Sequence, residues 1–222
     1  MSASSNDGHG VVVIGLGRFG SHLAGSLLQL GHEVMAVDRD PARVQRWSAR
    51  LDRVVQADAT EEDALRQLDI VSFGRAVVAI GASLEASVFT VLALAELGIP
   101  QIWARATSQR HARILSSVGA HRVIFPEAET GERVAHLIVT RMLDFIEFGD
   151  DFAIAKVRVP KALAGRPLSE IRPIERYGVR VLGAKVTGEP FRYASDTTVL
   201  PAGSVLVVEG SIDQVQRFAG LS

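Results

Sequence analysis

Two hydrophobic rhythms alternate along the first half of the chain. Short runs that are apolar at nearly every position read VVVIG at 11–15, EVMAVD at 33–38, RVVQA at 53–57, AVVAIG at 76–81, QIWARA at 101–106 and RVIF at 122–125. Between them, residues 18–30, 41–49, 61–68, 84–97 and 109–118 carry apolar side chains at helical spacing. Strands without a polar face must be covered on both faces, so this alternation predicts a parallel sheet of six strands with helices above and below. The punctuation agrees. Asp40-Pro41 supplies an N-cap and a proline for the first helical position, Thr60-Glu61-Glu62-Asp63 reads as a capping-box variant, and Gly31, Gly98 and Gly119 stand where helices should stop.

After Phe125 the rhythm changes. Residues 132–148 place Val134, Leu137, Ile138, Met142, Phe145 and Ile146 on one face of a single long helix, ending at Gly149-Asp150-Asp151. Beyond it come strand-like FAIAKVRV, a short helical stretch near 168–171, strand-like VRVLGAKV, the segment TVLPAGSVLVVEG and a final helix over 213–218. The division expected is a flexible tail at 1–10, a nucleotide-binding domain at 11–128, a crossover helix and hinge at 129–150, and a small α+β domain at 151–222.

Composition narrows the class. Among 222 residues 47% are hydrophobic, enough for a proper core. Lys plus Arg is 24 and Asp plus Glu is 25, so there is no net positive field to hold a nucleic-acid backbone. The absence of cysteine excludes disulfides, thiolate metal sites and thiol nucleophiles. The start, MSASSNDGHG, lacks the basic and then apolar pattern of a secretion signal, which points to the cytoplasm. The longest apolar run, 88–97, is about half of a bilayer span and contains Glu96, so membrane association must come through a partner.

The first strand runs directly into Gly15-Leu16-Gly17-Arg18-Phe19-Gly20, which opens a helix. Glycines there permit a tight turn and close approach of a phosphate to the backbone, and the helix N-terminus offers free N–H groups. The second strand ends at Asp38, whose carboxylate can accept ribose hydroxyls and disfavours a 2′-phosphate; the neighbouring Arg39 reads as solvated. The pattern defines a Rossmann-type, doubly wound α/β sheet. Asp58, with Ala59 and Thr60, falls where an adenine ring would lie, although Asp58 also reads as a helix-entry residue. Ile80-Gly81 brings backbone near the ligand, and Arg105 and Glu127 sit on the carboxyl edge, where a structural ion pair is an equal alternative. Arg18 suits bidentate phosphate contact, in its own site or a neighbour's, and could equally be solvated.

A catalyst is harder to find. The only lysines are Lys156, Lys161 and Lys185, and neither Tyr177 nor Tyr193 has a lysine four residues later. The histidines show no metal-ligand spacing, and His111 and His121 read as surface positions. This favours binding over chemistry. A small NAD-dependent oxidoreductase is the alternative, and a redox sensor with a DNA partner is weakened by the missing basic patch.

GLGRFG, Asp38, ADATEED, VVAIGASLEAS, GIPQIWARA and FPEAETGERVA, in that order, resemble the cytoplasmic regulatory subunits of Ktr/Trk-type bacterial potassium uptake systems. These chains have an RCK (TrkA-type) N-terminal domain and a TrkA-C-type domain, and the resemblance covers essentially residue 11 to the end. It implies dimers assembled into an octameric ring on a dimeric membrane potassium translocator, at the inner face of the plasma membrane. It also implies ATP or ADP in the cleft, with NAD(H) known in related Trk subunits and a cation near the γ-phosphate. Carried over by position, Gly15, Gly17 and Gly20 cradle phosphate, Asp38 holds ribose, and Asp58 and Ala59 border adenine. Arg105 approaches phosphate, Arg18 senses the γ-phosphate of an adjacent subunit, and Glu127 lies near that phosphate and its cation. The helix at 132–148 would pack between subunits. Relatives commonly have Asn and Lys at the positions of Asp58 and Arg105. Some bind cyclic di-AMP in the C-terminal domain; there LSEIRPIERYG has Ile174 in place of the arginine, with Arg172 and Arg176 nearby, which leaves that ligand open.

Overall fold

The computed structural model describes residues 10–149, 151–186 and 188–221, so the expected tail lies almost wholly outside the described residues. The chain packs into two units that divide after Glu129.

In the first unit β1 (Val11–Ile14), β2 (Val34–Asp38), β3 (Arg53–Gln56), β4 (Arg75–Val78), β5 (Gln101–Arg105) and β6 (Arg122–Ile124) form one parallel sheet in the order β3-β2-β1-β4-β5-β6. The unbroken apolar runs are shared between two cores by the strand's twofold alternation. Val12, Ile14, Met35, Val37, Ala76, Val78, Ile102 and Ala104 face one layer, with α3 (Glu62–Gln67), α4 (Leu84–Glu96) and α5 (Gln109–Ser117) supplying Leu65, Leu94 and Leu115. Val11, Val13, Val34, Ala36 and Val77 face the other layer, where α1 (Arg18–Gln29) contributes Ala24 and α2 (Pro41–Trp47) contributes Trp47.

The strand order reverses between β1 and β4. The chain leaves the sheet in opposite directions on either side of this point, which opens a crevice at the carboxyl ends. Asp40 caps α2 through the Ala42 N–H at 2.9 Å with Pro41 in the first turn. Ser83 and Ser108 cap α4 and α5. Gly31, Gly98 and Gly119 take the left-handed conformation expected after helices. Thr60 does not cap α3: the helix starts at Glu62, and the Thr60 hydroxyl donates instead to Asp58 at 2.7 Å.

The chain passes out of the first unit along α6 (Pro126–Val139), which begins earlier and ends sooner than the helix expected at 132–148. Met142–Phe148 is a strand, β7, paired antiparallel with β8 (Phe152–Arg158). Gly149, at φ +69°, belongs to the connection of this hairpin, not to a hinge between domains. With β9 (Arg180–Lys185), β10 (Arg192–Tyr193) and β11 (Val205–Ser211) these strands form a second sheet, ordered β10-β9-β11-β8-β7. Short helices α7 (Leu168–Ile171) and α8 (Pro173–Tyr177) precede β9. The last helix, α9 (Ile212–Ala219), starts on a capping box of Ser211 and Gln214 and drives Val215 and Phe218 into this unit's core beside Val157, Leu206 and Val208. On α6, Ile138 and Val139 are 77% and 80% exposed, so its apolar face is left open within the single chain.

Candidate nucleotide-binding cleft

A cleft of about 500 Å³ lies at the reversal point between β1 and β4. Its floor is the turn that leaves β1. Gly15 has φ +96°, a conformation side chains oppose, and a Cβ there would come within 3.3 Å of the Ala79–Ile80 backbone. A Cβ on Gly20 would lie 1.9 Å from the Gly15 carbonyl oxygen and 2.9 Å from Ala79 Cβ. That glycine therefore lets α1 pack against the loop. Gly17 is different, because a Cβ there would meet nothing nearer than Arg43 Nη1 at 4.0 Å. It stands at the N-cap of α1 and no side chain caps the helix, so the first-turn N–H groups remain available to an anion.

Asp38 ties this loop to β2. Its side chain is 4% exposed; Oδ2 accepts the Leu16 N–H at 2.6 Å and Oδ1 accepts the Asp40 N–H at 2.9 Å. Arg43 Nη1 reaches Oδ2 at 3.2 Å and Arg43 Nε reaches Asp40 Oδ2 at 3.3 Å. A carboxylate has about four acceptor positions. Three are in use, which leaves one for a ribose hydroxyl unless Arg43 moves.

The wall formed by Asp58, Ala59 and Thr60 is fixed locally. Asp58 Oδ1 accepts both the N–H and the hydroxyl of Thr60, at 3.0 and 2.7 Å. These bonds hold the Asp58 carboxyl below the usual carboxylate range; slight burial opposes them and Arg39 adds to the lowering. The stabilisation from this contact is present at neutral pH and disappears as pH falls through the lowered value. Thr60→Val removes the hydroxyl but keeps the N–H, so the Asp58 titration followed by NMR should move partway back toward the ordinary value; an unchanged midpoint would contradict the assignment.

Opposite lie Ile80, Gly81 and Arg105. The Arg105 guanidinium lies so close over Gly81 that a Cβ there would be 1.9 Å from Nη1. Arg105 also donates through Nε to Glu127 at 3.1 Å, closing a two-contact ion pair. Glu127 is thus linked to the cleft through Arg105 and does not line it.

Of the residues singled out from sequence, the cleft gathers Gly15, Gly17, Arg18, Asp38, Arg39, Asp58, Ala59, Thr60, Ile80, Gly81 and Arg105. Phe19 and Gly20 do not line it. Asp40, Arg43, Ser83, Ala86 and Thr90 also line it and were missed. Arg43 had one signal: with Asp40 as N-cap it lies three residues on, in the first turn of α2 and within reach of the same edge.

His111 is not a surface residue but is 1% exposed, with Nδ1 3.4 Å from the Thr107 N–H and Nε2 without a partner among the described residues. Burial, and secondarily Arg105, push its pKa down, so it is neutral at neutral pH. Among the described residues no three His, Asp or Glu side chains converge as a metal site, and no helix is long and apolar enough to cross a membrane. In the C-terminal unit Arg172 and Ile174 border a recess of about 440 Å³, which Arg176 does not line.

A glycine loop at the reversal point of a parallel sheet defines a Rossmann-type module, here followed by a small antiparallel unit. The comparisons agree. The TrkA-N domain matches residues 11–126 and the TrkA-C domain matches 152–221. The chain belongs to the TrkA-N family, together with Ktr potassium uptake proteins. It is 33% identical to Ktr system potassium uptake protein C of Bacillus subtilis (strain 168), over 93% of this chain and 94% of that one. To Ktr system potassium uptake protein A of the same organism it is 34% identical, over 93% of each. The crystal structure of the GsuK RCK domain superposes with TM-score 0.66 at 21% identity, covering all of this chain and 49% of that chain. The present chain thus spans about half of that one. GsuK bound to ADP matches with TM-score 0.51 at 25% identity, over 61% of this chain and 35% of that one.

Proposed function

We propose that this chain is the cytoplasmic regulatory subunit of a bacterial potassium uptake system, and that its cleft is a switch read by ATP and ADP. The observation that carries the proposal is the uncapped N-terminus of α1 beside Arg18 and Asp38, in a chain whose relatives are potassium uptake proteins. The similar GsuK structure with ADP supports an adenine nucleotide.

In this reading adenine lies along Asp58 and Ala59, ribose at Asp38, and the phosphates over the glycine loop. Each group of the chain then has a task. The α1 N–H groups meet the α- and β-phosphates, common to both nucleotides. Arg18 and Arg105 meet the additional negative charge that only ATP brings. Glu127, paired with Arg105 outside the cleft lining, would have to turn from that ion pair to share a cation placed on the γ-phosphate. The exposed apolar face of α6 is covered by a second copy, and dimers build an octameric ring on a dimeric membrane translocator. NAD(H) is a further ligand the same cleft can hold.

Switching requires ATP and ADP to prefer different conformations, because equal preference shifts nothing however tight the binding. Arg18→Ala should leave ADP affinity within about threefold while weakening ATP by about tenfold, the scale of one charge-assisted contact. Equal loss of both would make Arg18 a general part of the phosphate cradle. The broader test is solution mass and thermal shift with ATP, ADP and NADH added in turn. An assembly that responds to ATP and ADP is expected; a monomer that responds only to NADH would overturn the reading in favour of a dehydrogenase.

A further inference from the structure

On the outer side of the glycine loop, between the first turn of α1 and the length of α2, lies a second recess of about 260 Å³. Gly17, Arg18, Ser21, Arg43, Arg46 and Trp47 line it, and the first two together with Arg43 also line the nucleotide cleft. The two spaces therefore share Gly17, Arg18 and Arg43, with Arg43 Nη1 held on Asp38 at 3.2 Å.

Like charges around one small recess repel one another, and an anion among them would relieve that repulsion. Arg43 is compensated by Asp38 and Asp40. Arg18 and Arg46 have no acidic partner among the described residues. Ser21 also lines this wall, but its O–H is donated to the Arg18 carbonyl at 3.1 Å, so the guanidiniums are the donors the recess offers.

A carboxylate ending the second strand ordinarily repels a phosphate on the ribose, whereas an arginine nearby accommodates one. Here the Asp38 charge is already met by the Leu16 and Asp40 N–H groups and by Arg43. With Arg39 on the cleft wall, four guanidiniums, of Arg18, Arg39, Arg43 and Arg46, stand against three carboxylates, of Asp38, Asp40 and Asp58, the last of them beside Arg39. The balance at the ribose end of the cleft is positive.

We infer that this recess receives a phosphate carried on the ribose of the nucleotide in the cleft, so that the chain takes ribose-phosphorylated adenine nucleotides, NADP(H) among them. The inference rests on reading the cleft as an adenine-nucleotide site. Arg46 is its specific element, since it lines the recess and not the cleft. Through Arg43 the added phosphate would also compete for the guanidinium that now neutralises Asp38, freeing that carboxylate for the remaining ribose hydroxyl.

The test is calorimetric titration of the full chain with AMP, adenosine 2′,5′-bisphosphate, adenosine 3′,5′-bisphosphate, NAD⁺, NADP⁺ and inorganic phosphate, repeated with Arg46→Ala. A ribose phosphate should tighten binding about tenfold over AMP, a change equivalent to one well-placed charged contact. Arg46→Ala should remove that gain and leave AMP within about twofold, a change below one such contact. The isomer that gains identifies the hydroxyl, and NADP⁺ exceeding NAD⁺ supports the 2′ position. Bisphosphates that bind no better than AMP overturn the inference and leave the cleft reading intact. Failure of every adenine nucleotide in the series to bind overturns both. Inorganic phosphate binding with the same Arg46 dependence would show an independent anion site and overturn the link to ribose.

Discussion

Replacing Gly20 with alanine should destabilise the N-terminal unit by about 3 kcal/mol, at the upper end of the cost of forcing a methyl into a packed site. The clash is with backbone: the new Cβ would lie 1.9 Å from the Gly15 carbonyl oxygen, and Ala79 Cβ at 2.9 Å blocks the other direction of relief. Relief requires α1 to back away from the loop or Gly15 to abandon its φ of +96°. Both displace the Leu16 N–H from Asp38 and the α1 N-terminus from the cleft. Nucleotide affinity should therefore fall together with stability. Gly131→Ala supplies the contrast. Gly131 lies within α6, has no neighbour within 4 Å of a Cβ and does not take positive φ, so alanine there should leave stability unchanged or raise it by up to about 1 kcal/mol. Thermal or urea unfolding of the two variants checks this. Equal behaviour would mean that the glycine loop is not held as described.

Removing the Asp38 carboxylate should have the second large effect. Asp38→Ala leaves the Leu16 N–H buried without an acceptor, strips the Asp40 N–H, and leaves Arg43 with Asp40 alone. One buried donor left unsatisfied costs about 1–3 kcal/mol, so a loss of about 2–3 kcal/mol is expected. Asp38→Asn should rescue little. Whichever way the amide is turned, its NH₂ faces a donor: Leu16 and Arg43 on one side, Asp40 on the other. Binding of any adenine nucleotide should weaken in both variants. An Asn variant with wild-type stability would show that Asp38 is a surface carboxylate awaiting ribose, not a strut of the loop.

The strands of the first unit were legible because a parallel sheet buried on both faces leaves no polar alternation to misread. Val12 and Val13 look alike in sequence, and their assignment to opposite cores follows from the strand period alone. The glycine loop and Asp38 were legible for a related reason, since their order along β1, α1 and β2 carries the geometry. Met142–Phe148 was not. Met142, Phe145 and Ile146 continue the helical spacing set by Val134, Leu137 and Ile138, and only pairing with β8, closed through Gly149, decides for strand. Tertiary pairing there outweighs a local period that suits either structure.

Charged and titratable residues were hidden differently. Arg43 reads as a solvated helix residue until α2 is set against the carboxyl edge, where it meets Asp38. His111 lies on an amphipathic helix whose polar members should face water, yet it is buried in the first turn of α5, near Thr107. Asp58 lines the cleft wall, but the hydroxyl expected to cap α3 holds its carboxylate instead.

On the proposed function, one cleft converts the difference between ATP and ADP into a difference of shape. Small-angle X-ray scattering of the full chain, saturated in turn with each nucleotide, tests it most directly. Two distinct scattering curves at the same assembly mass are predicted, with Arg18→Ala drawing the ATP curve toward the ADP curve. Superimposable curves at saturation would contradict the account, because two ligands that stabilise the same conformation cannot switch a channel.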